Sequence, residues 1–351
     1  MNETLGSNIS NVKMLNLHPL YSIPEAFGQL KLHKEGYPSR PIVPSHSGIT
    51  TNVEYYLKSI LSPLISECSY LVHSTKEFKS KFTLQKENFN PEKHKVMSFY
   101  IKSLYPSVNV NRVLSLILNL LYSNPTKYFP KEYDGLGNLL PIPTRANFLK
   151  LMNHTLTKYS IFRCRTGVYR QLKGLSMGSC LSSIISNLFV HMMEIDVIKK
   201  FEKSGDIISW LRYADDICCI IKNRSFPKIF KKLNSWDKDL FFTYTNMTEN
   251  SLIFLDCELF LEDEKIEFKH YPKFGLNTIL QNYEKSITPK RYLISNIWTQ
   301  FHNVESASSN DFYLAEGLKI METIFYRNGY PKALVKNKMK KFLEKTKNLK
   351  K

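Results

Sequence analysis

Two adjacent aspartates inside an apolar run constrain this chain more than any other feature. In the stretch SWLRYADDICCII, residues 209–221, large apolar side chains flank Asp215 and Asp216 on both sides. The flanks predict a strand, a tight turn and a second strand, so that both carboxylates project from a hairpin tip. Carboxylates held this close repel each other unless a cation lies between them, and Mg²⁺ favours carboxylate oxygens. The alternative is a solvent-exposed Asp-Asp turn, but such a turn does not need large apolar side chains on both sides.

The chain as a whole is strongly basic. Its 351 residues include 49 Lys and Arg against 31 Asp and Glu, which gives a formal net charge of +18, and 43% of them are hydrophobic. This hydrophobic content is enough to bury real cores, so it excludes a disordered tail. The charge predicts a polyanionic partner such as nucleic acid. An AT-rich genome that inflates the lysine content is the alternative explanation.

The cysteine pattern and the hydropathy point to an intracellular protein. Six cysteines without a C-x-x-C spacing indicate neither a zinc site nor a disulfide framework. They are typical of reduced, mostly buried thiols. The sequence has no basic stretch followed by an apolar run near its start, and no uncharged apolar run of about 18 residues. We therefore expect no signal peptide, no membrane span and no membrane partner.

The hydrophobic pattern predicts a mixture of helices and strands. A helix is expected from Asn52 to about Leu71, with a kink at Pro63. The stretch KVMSFYIKSLYPSV, residues 95–108, predicts a buried strand that runs into a turn. A hairpin with its bend at Thr166-Gly167 precedes the glycine turn KGLSMGS and a long helix that begins at Leu181. The last eighty or so residues are expected to be helical, since their apolar residues recur at helical spacing.

The box YADD, residues 213–216, resembles the Y-x-D-D box of reverse transcriptases. Four further blocks occur in the order of that family. HKEGYPSRPIV resembles the fingers segment that holds the incoming triphosphate, FYIKSLYPSV the palm strand of the first catalytic acid, and GLSMGSCLSSIISNLF the glycine turn and helix that buttress template and nucleotide. The stretch that begins SLIFLDCELF is similar to the primer-grip region of Penelope-like retroelements, whose polymerase is akin to telomerase. The resemblance covers residues 28–305.

This resemblance implies an α+β protein with the right-hand polymerase fold. Fingers and a palm with an antiparallel sheet would occupy residues 1–271, and a thumb-like helical region with a basic tail would occupy residues 272–351. The implied function is that of an RNA-directed DNA polymerase, which extends a DNA primer on an RNA template with dNTPs by two-metal phosphoryl transfer. Mg²⁺ or Mn²⁺ would be the cofactor, and a nuclear location is compatible with this function.

The family's motifs imply roles for particular residues. Asp215 and Asp216 are the expected catalytic residues and metal ligands. The other roles are nucleotide binding for Lys34, Arg40, Tyr105, Met177 and Gly178, and template–primer binding for Ser176, Ser179, Phe254 and Leu255. The alternatives are a solvated basic loop for the two cations, palm packing for Tyr105, a helix cap for the serines and core packing for Phe254.

One catalytic acid of the family pattern is missing. The palm strand of the family reads F-D-[VI]-x-S-L-Y, whereas this chain has SFYIKSLY with Tyr100 in the place of the aspartate, and no acid lies between Glu92 and Glu132. A phenol with a pKa of about 10 stays neutral at pH 7 and cannot bridge two divalent ions. The alternative function is therefore a catalytically impaired or inactive protein that binds nucleic acid with the same fold. A template-independent nucleotidyltransferase is a third class.

Overall fold

The computed structural model describes residues 22–31, 36–46, 48–133, 137–247 and 251–350. The strands in chain order are β1 (Phe27–Leu30), β2 (Ser39–Ile42), β3 (His94–Lys102), β4 (Ile161–Cys164), β5 (Gly167–Arg170), β6 (Ile207–Tyr213), β7 (Asp216–Lys222), β8 (Phe241–Asn246), β9 (Ser251–Phe254), β10 (Cys257–Glu262) and β11 (Lys265–His270). The α-helices are α1 (Thr51–Leu61), α2 (Thr75–Lys86), α3 (Leu104–Ser107), α4 (Val110–Ser123), α5 (Pro125–Tyr128), α6 (Arg145–Asn153), α7 (Ser182–Met193), α8 (Lys199–Lys203), α9 (Phe226–Ser235), α10 (Lys290–Ala307), α11 (Asp311–Arg327) and α12 (Lys332–Lys350).

The described strands form two hairpins and two larger sheets. Strand β1 pairs with β2, and β4 pairs with β5. The largest sheet has the order β6-β7-β3-β8, and a three-stranded sheet has the order β11-β10-β9. The pairs β6–β7 and β3–β7 are antiparallel. The predicted α+β class with an antiparallel sheet is therefore confirmed.

The chain divides into two compact units, each assembled from separate stretches of sequence. The first consists of Met1–Leu71, Ile101–Phe201 and Lys228–Thr243, and the second consists of Val72–Tyr100, Glu202–Pro227 and Tyr244–Lys351. In the first unit, α4 packs against α7. Val113, Ile117 and Leu121 on α4 are buried at helical spacing, as are Ile185 and Phe189 on α7. This apolar stripe is the reason that both helices form and dock.

The core of the second unit lies under the β6–β7 hairpin. Helix α2 contributes Phe78 and Phe82, which are fully buried, and the rings of Phe78 and Phe254 lie 4.6 Å apart between centroids. The cluster joins these residues to side chains of six strands, among them Leu211, Cys218, Ile220, Leu252, Leu259 and Phe268. The β6–β7 hairpin, which carries the two aspartates, therefore packs on a buried apolar core.

A second apolar cluster holds together the three C-terminal helices, α10 to α12. Its fully buried members include Leu293, Phe301 and Phe342. The helical expectation is confirmed over 290–350, but the described stretch 272–289 has a single 3₁₀ turn at Gly275–Asn277. Pro272 and Pro289 flank this stretch, and proline disfavours a continuous helix. No helix among the described residues combines the length and apolar character needed to cross a membrane.

The expected end of the first helix was wrong. The helix that begins at Thr51 ends at Leu61 and continues as a 3₁₀ helix over Ser62–Glu67. Pro63 is the cause, because its ring clashes with the preceding turn and it has no N–H for an α-helical bond. The strand that runs into a turn, expected within residues 95–108, is confirmed: the strand ends at Lys102, and Ser103, with a φ of +50°, leads into the short helix α3. The long helix expected from Leu181 is interrupted by a π-helical turn at Glu194–Ile198.

Candidate active site

Asp215 and Asp216 lie at the tip of the β6–β7 hairpin. Tyr213 pairs with Asp216 in the register of the two strands, so Ala214 and Asp215 form a two-residue turn. Both aspartates are half-buried, while Leu211 and Ile217 behind them are buried. Ala214 has a φ of +52°, in the left-handed region that non-glycine residues seldom adopt. The strand, turn and strand predicted from the sequence are confirmed, with the two aspartates at and just after the turn.

Arg212 is a residue of this hairpin that sequence reasoning missed. Its side chain is fully buried, and its Nη1 donates a hydrogen bond of 3.3 Å to the backbone carbonyl of Ala214 in the turn. The carbonyl of Arg212 accepts a bond of 2.8 Å from the backbone N–H of Val72. A buried guanidinium needs such acceptors, because an unpaired buried charge is costly. The sequence feature that could have identified Arg212 is a cation within an apolar predicted strand, three residues before Asp215.

Tyr100 faces the second aspartate across the sheet. In the antiparallel pairing of β3 with β7, Tyr100 is the direct partner of Asp216. Directly paired residues point to the same face of a sheet, with Cβ atoms about 5 Å apart. No group of three His, Cys, Asp or Glu side chains in the described residues could hold a metal ion. The described residues therefore offer an aspartate pair with a tyrosine beside it, and no third acid placed to complete a metal site with the pair.

A groove of about 600 Å³ in the second unit joins the aspartate hairpin to the expected primer-grip turn. Asp216 and Tyr213 line it on one side, and Phe254 and Leu255 line it at the β9–β10 turn. Its other lining residues are Ser74, Thr75, Lys76, Ser98, Ile253, Asp256, Tyr271, Lys273, Asn303 and Ser306. The structure therefore brings together one expected catalytic residue, Asp216, and two expected primer-binding residues, Phe254 and Leu255, that the sequence places about forty positions apart.

The β9–β10 turn repeats the backbone geometry of the aspartate turn. Phe254 pairs with Cys257, so Leu255 and Asp256 form the two turn residues, and Leu255 has a φ of +54°. Phe254 is 2% exposed and belongs to the core under the hairpin, whereas Leu255 is half-buried. Thr75 Oγ1 donates a bond of 3.3 Å to the Asp256 carboxylate. Phe254 therefore packs the β9–β10 turn against the core, and Leu255 and Asp256 lie at the surface of that turn.

In the first unit, the glycine turn docks on the segment after β2. The backbone N–H of Val43 donates a bond of 2.7 Å to the carbonyl of Met177. Gly178 has a φ of +121°, and a Cβ at this position would lie 2.4 Å from the Val43 carbonyl oxygen. Only glycine fits so close a backbone approach. The glycine turn therefore lies directly against the backbone of the segment after β2.

The same turn contacts the helix that carries Tyr105. The N–H of Leu175 donates a bond of 2.8 Å to the carbonyl of Tyr105 on α3. Gly174 has a φ of +71°, and a Cβ there would meet the backbone of Pro106 at 2.5 Å. Tyr105 is half-buried. Its degree of burial fits both of the interpretations given above, palm packing and contact with a nucleotide.

Glu54 on α1 is a second residue that sequence reasoning missed. Its side chain is buried, and its carboxylate accepts hydrogen bonds from the hydroxyls of Ser45 at 2.8 Å, Thr50 at 2.8 Å and Ser179 at 2.7 Å. The carboxylate thus joins the segment after β2 to the glycine turn. The only signal in the sequence was an acid next to Val53 on the apolar face of α1, where a charged residue is not expected.

The remaining expected residues lie in the same unit or outside the described part of the chain. Arg40 is on β2, where it pairs with Gln29, and it is exposed. Ser176 and Ser179 are half-buried in the glycine turn. Lys34 lies outside the described residues, so its role stays a prediction.

Solved structures with a similar fold are nucleic-acid polymerases. The structure of telomerase from Candida albicans in complex with a TWJ fragment of telomeric RNA matches with a TM-score of 0.60 and 15% identity, over 99% of this chain and 61% of that chain. The Sicinivirus 3Dpol RNA-dependent RNA polymerase matches with a TM-score of 0.51 and 13% identity, over 93% of this chain and 68% of that chain. The chain has the right-hand polymerase fold.

Other matches with the right-hand polymerase fold are longer than this chain. The BmCPV RNA-dependent RNA polymerase matches with a TM-score of 0.54 and 11% identity, over 88% of this chain and 26% of that chain. The chain spans 61% and 53% of the two telomerases, from Candida albicans and Candida tropicalis, that it resembles. No family profile and no curated protein matches the sequence.

Proposed function

We propose that this chain is a reverse transcriptase domain of Penelope-like type, an RNA-directed DNA polymerase that extends a primer 3′ end with dNTPs. One observation carries the proposal: Asp216 of the YADD hairpin and the Phe254-Leu255 turn line one groove. A polymerase needs this pairing, because the primer end must be held beside the carboxylates at which phosphoryl transfer occurs. The basic composition suits the template and primer as polyanionic partners.

Asp215 and Asp216 are the residues that would hold Mg²⁺ or Mn²⁺. Mg²⁺ sites in nucleotide-dependent enzymes commonly use one or two carboxylates together with substrate phosphates, so this pair fits one such site. When bound, the ion supplies charge neutralisation at the transferring phosphoryl group and activation of the primer hydroxyl. The buried flanks of the hairpin keep the two carboxylates in position, since their strands have no room to shift.

Residues of the first unit would bind the nucleotide and the template. Arg40 is exposed and suits a triphosphate, because a guanidinium forms bidentate bonds to phosphate oxygens. Tyr105 would exclude a ribose 2′-OH, and Met177 and Gly178 would approach the nucleotide through their backbone. Ser176 and Ser179 would contact the template strand. Lys34 would be a further point charge for the triphosphate.

The pairing of Tyr100 with Asp216 favours a second candidate function. A neutral phenol in the position of a bridging acid removes a negative charge beside the metal site. A loss of several kcal/mol in transition-state stabilisation would slow the chain on the order of a thousandfold. In that case the chain would bind a template–primer without extending it at a useful rate.

Primer extension on poly(rA)/oligo(dT) with Mg²⁺ or Mn²⁺ tests the proposal. In the Tyr100→Asp background we expect metal-dependent extension, and we expect Asp215→Ala in that background to abolish it. Extension that survives Asp215→Ala would contradict the metal assignment. Extension of an unpaired primer would instead assign a template-independent nucleotidyltransferase. If Tyr100→Asp leaves the chain inactive but the chain still binds the template–primer, the binding function alone remains.

A further inference from the structure

The β4–β5 hairpin carries two chemically different faces that the proposed function leaves unused. Its register pairs Ile161 with Arg170, Phe162 with Tyr169 and Arg163 with Val168. Paired residues point to the same face of a hairpin, and alternate residues along a strand point to opposite faces. Arg163 and Arg170 therefore share one face, and Phe162 and Tyr169 share the other.

The arginine face forms no ion pair within the part of the chain that the structure describes. Arg163 and Arg170 are diagonal neighbours, both are exposed, and Arg165 at the bend is exposed as well. None of the three forms an ion pair with any residue that the structure describes. The neighbouring segment brings one acid into register, Glu25, which is the bridge partner of Arg163. Three guanidinium groups against one carboxylate favour a ligand with several negative charges.

The opposite face offers an aromatic surface. The rings of Phe162 and Tyr169 are stacked, with centroids 6.0 Å apart and an angle of 24° between their planes. The Tyr169 hydroxyl lies 2.9 Å from Thr166 Oγ1, which fixes the ring. Tyr169 is 46% exposed, so one side of the stack is open to solvent. Unpaired bases stack on such rings, whereas the bases of a duplex are not available to do so.

The backbone holds this hairpin in place before any ligand arrives. The N–H of Arg163 donates a bond of 2.8 Å to the carbonyl of Pro24, and the N–H of Ala26 donates a bond of 2.8 Å to the carbonyl of Arg163. These bonds add a third, parallel segment to the two strands. A lone two-stranded hairpin is marginal in water, so the third segment makes the surface a preorganised one.

We propose that this hairpin binds a single strand of nucleic acid that crosses the outer edge of β5, with Arg163, Arg165 and Arg170 holding its phosphates on one face and Phe162 and Tyr169 holding a base on the other. The ligand would be the unpaired template that extends beyond the primer duplex, which rests on the proposed function. Arginines that bind successive phosphates and a tyrosine that stacks on a base form the combination that single-strand binding requires. The surface therefore distinguishes an overhang from a blunt duplex.

Fluorescence anisotropy with the full chain and labelled RNA–DNA tests this inference. Two probes are compared: a blunt template–primer duplex, and the same duplex with an unpaired 5′ template overhang of about ten nucleotides, within the usual site size for single-strand binding. The variants are Arg163→Ser/Arg170→Ser and Tyr169→Ala. The matched controls are Lys199→Ser/Lys200→Ser, which removes two exposed cations of the same unit, and Tyr169→Phe, which keeps the ring.

We expect the wild-type chain to bind the overhang probe with a higher affinity than the blunt duplex. Arg163→Ser/Arg170→Ser should bind both probes with the affinity that the wild-type chain has for the blunt duplex. Removing two phosphate contacts to a single strand should reduce the slope of log K against log salt concentration by about 1.4. Tyr169→Ala should weaken overhang binding by about fivefold to a hundredfold, and Tyr169→Phe should not. Lys199→Ser/Lys200→Ser should lower the affinity for both probes by the same factor or leave both affinities unchanged.

Two results would overturn the inference while the proposed function stands: an overhang that adds nothing to the affinity of the wild-type chain, or an equal loss in the arginine variant and the lysine control. Failure of the wild-type chain to bind either probe would count against the proposed function as well. If the arginine variant does not fold, photo-crosslinking of a 4-thiouridine overhang to the wild-type chain decides. Cross-links at Tyr169 or Phe162 support the inference, and cross-links confined to other elements overturn it.

Discussion

Tyr100 on β3 is the direct cross-strand partner of Asp216 on β7. The pair lies beside the YADD turn, and Asp216 lines the groove that also contains Phe254 and Leu255. A carboxylate at position 100 would add a negative charge where divalent ions are expected, whereas the phenol is neutral at pH 7. The fold is thus that of a polymerase, and one side chain at the centre of the candidate site departs from the resembled family's pattern.

Substitution of Gly178 by alanine should destabilise the glycine turn. The new Cβ would lie 2.4 Å from the Val43 carbonyl oxygen, at a φ of +121° that side chains rarely adopt. We expect a loss of about 2–4 kcal/mol in the free energy of unfolding, measured by urea denaturation. Gly36→Ala is the control, because Gly36 also has a positive φ but open space around it, and it should lose only about 1 kcal/mol. Equal losses in the two variants would contradict the close approach.

Removal of the Glu54 carboxylate should loosen the link between Ser45 and Ser179. Three hydroxyl donors would lose a charged acceptor in a buried place. Hydrogen bonds to charged groups contribute about 1.5–3 kcal/mol, so Glu54→Ala should lower the free energy of unfolding by about 3 kcal/mol or more. Glu92→Ala, at an exposed acid, should change it by less than about 0.5 kcal/mol. Protection of the 176–179 amides from hydrogen exchange should fall in Glu54→Ala alone, and unchanged protection would count against the link.

Phe254 should matter for stability and its neighbour Ile253 should not. Phe254 is 2% exposed and packs on Phe78, whereas Ile253 on the same strand is 48% exposed. Phe254→Ala should cost about 3–5 kcal/mol of unfolding free energy, since it leaves a cavity in the core. Ile253→Ala should cost less than about 1 kcal/mol. A small effect of Phe254→Ala in thermal or urea unfolding would contradict the packing of Phe254 in the core beneath the β9–β10 turn.

His270 should make the chain less stable in acid. Burial lowers the pKa of His270 below its usual value, although nearby Asp256 acts in the opposite direction. The unfolded chain then binds a proton more readily than the folded one, so this contribution is complete above a pH of about 6.5 and is lost as the pH falls through the folded pKa. Urea unfolding between about pH 7 and pH 5 should show a weaker pH dependence in His270→Gln than in wild type. An equal pH dependence in His270→Gln and the wild type would contradict this contribution.

The sequence was sufficient to predict the local geometry of the candidate site. Continuous runs of large apolar residues on both sides of Asp215 and Asp216 predict two buried strands and a tight turn, and that prediction is confirmed. These features depend on neighbouring residues, so period and turn chemistry are enough to find them.

What the sequence could not supply are contacts between distant segments. Glu54 and Ser179 are 125 positions apart, and nothing in the pattern of either segment links them. The hydrogen bond from Arg212 to the turn depends on the complete burial of a charged side chain, which propensity opposes. The end of the first helix at Leu61 was missed by treating Pro63 as a kink, although proline also ends helices.

The rate of primer extension by the wild-type chain relative to Tyr100→Asp tests the central claim most directly. Both proteins would be assayed on the same RNA template and DNA primer with Mg²⁺, with Tyr100→Phe as a control for loss of the hydroxyl alone. We predict that Tyr100→Asp extends the primer faster by a factor on the order of a thousand, and that Tyr100→Phe behaves like wild type. Equal rates for the wild type and Tyr100→Asp would contradict the account.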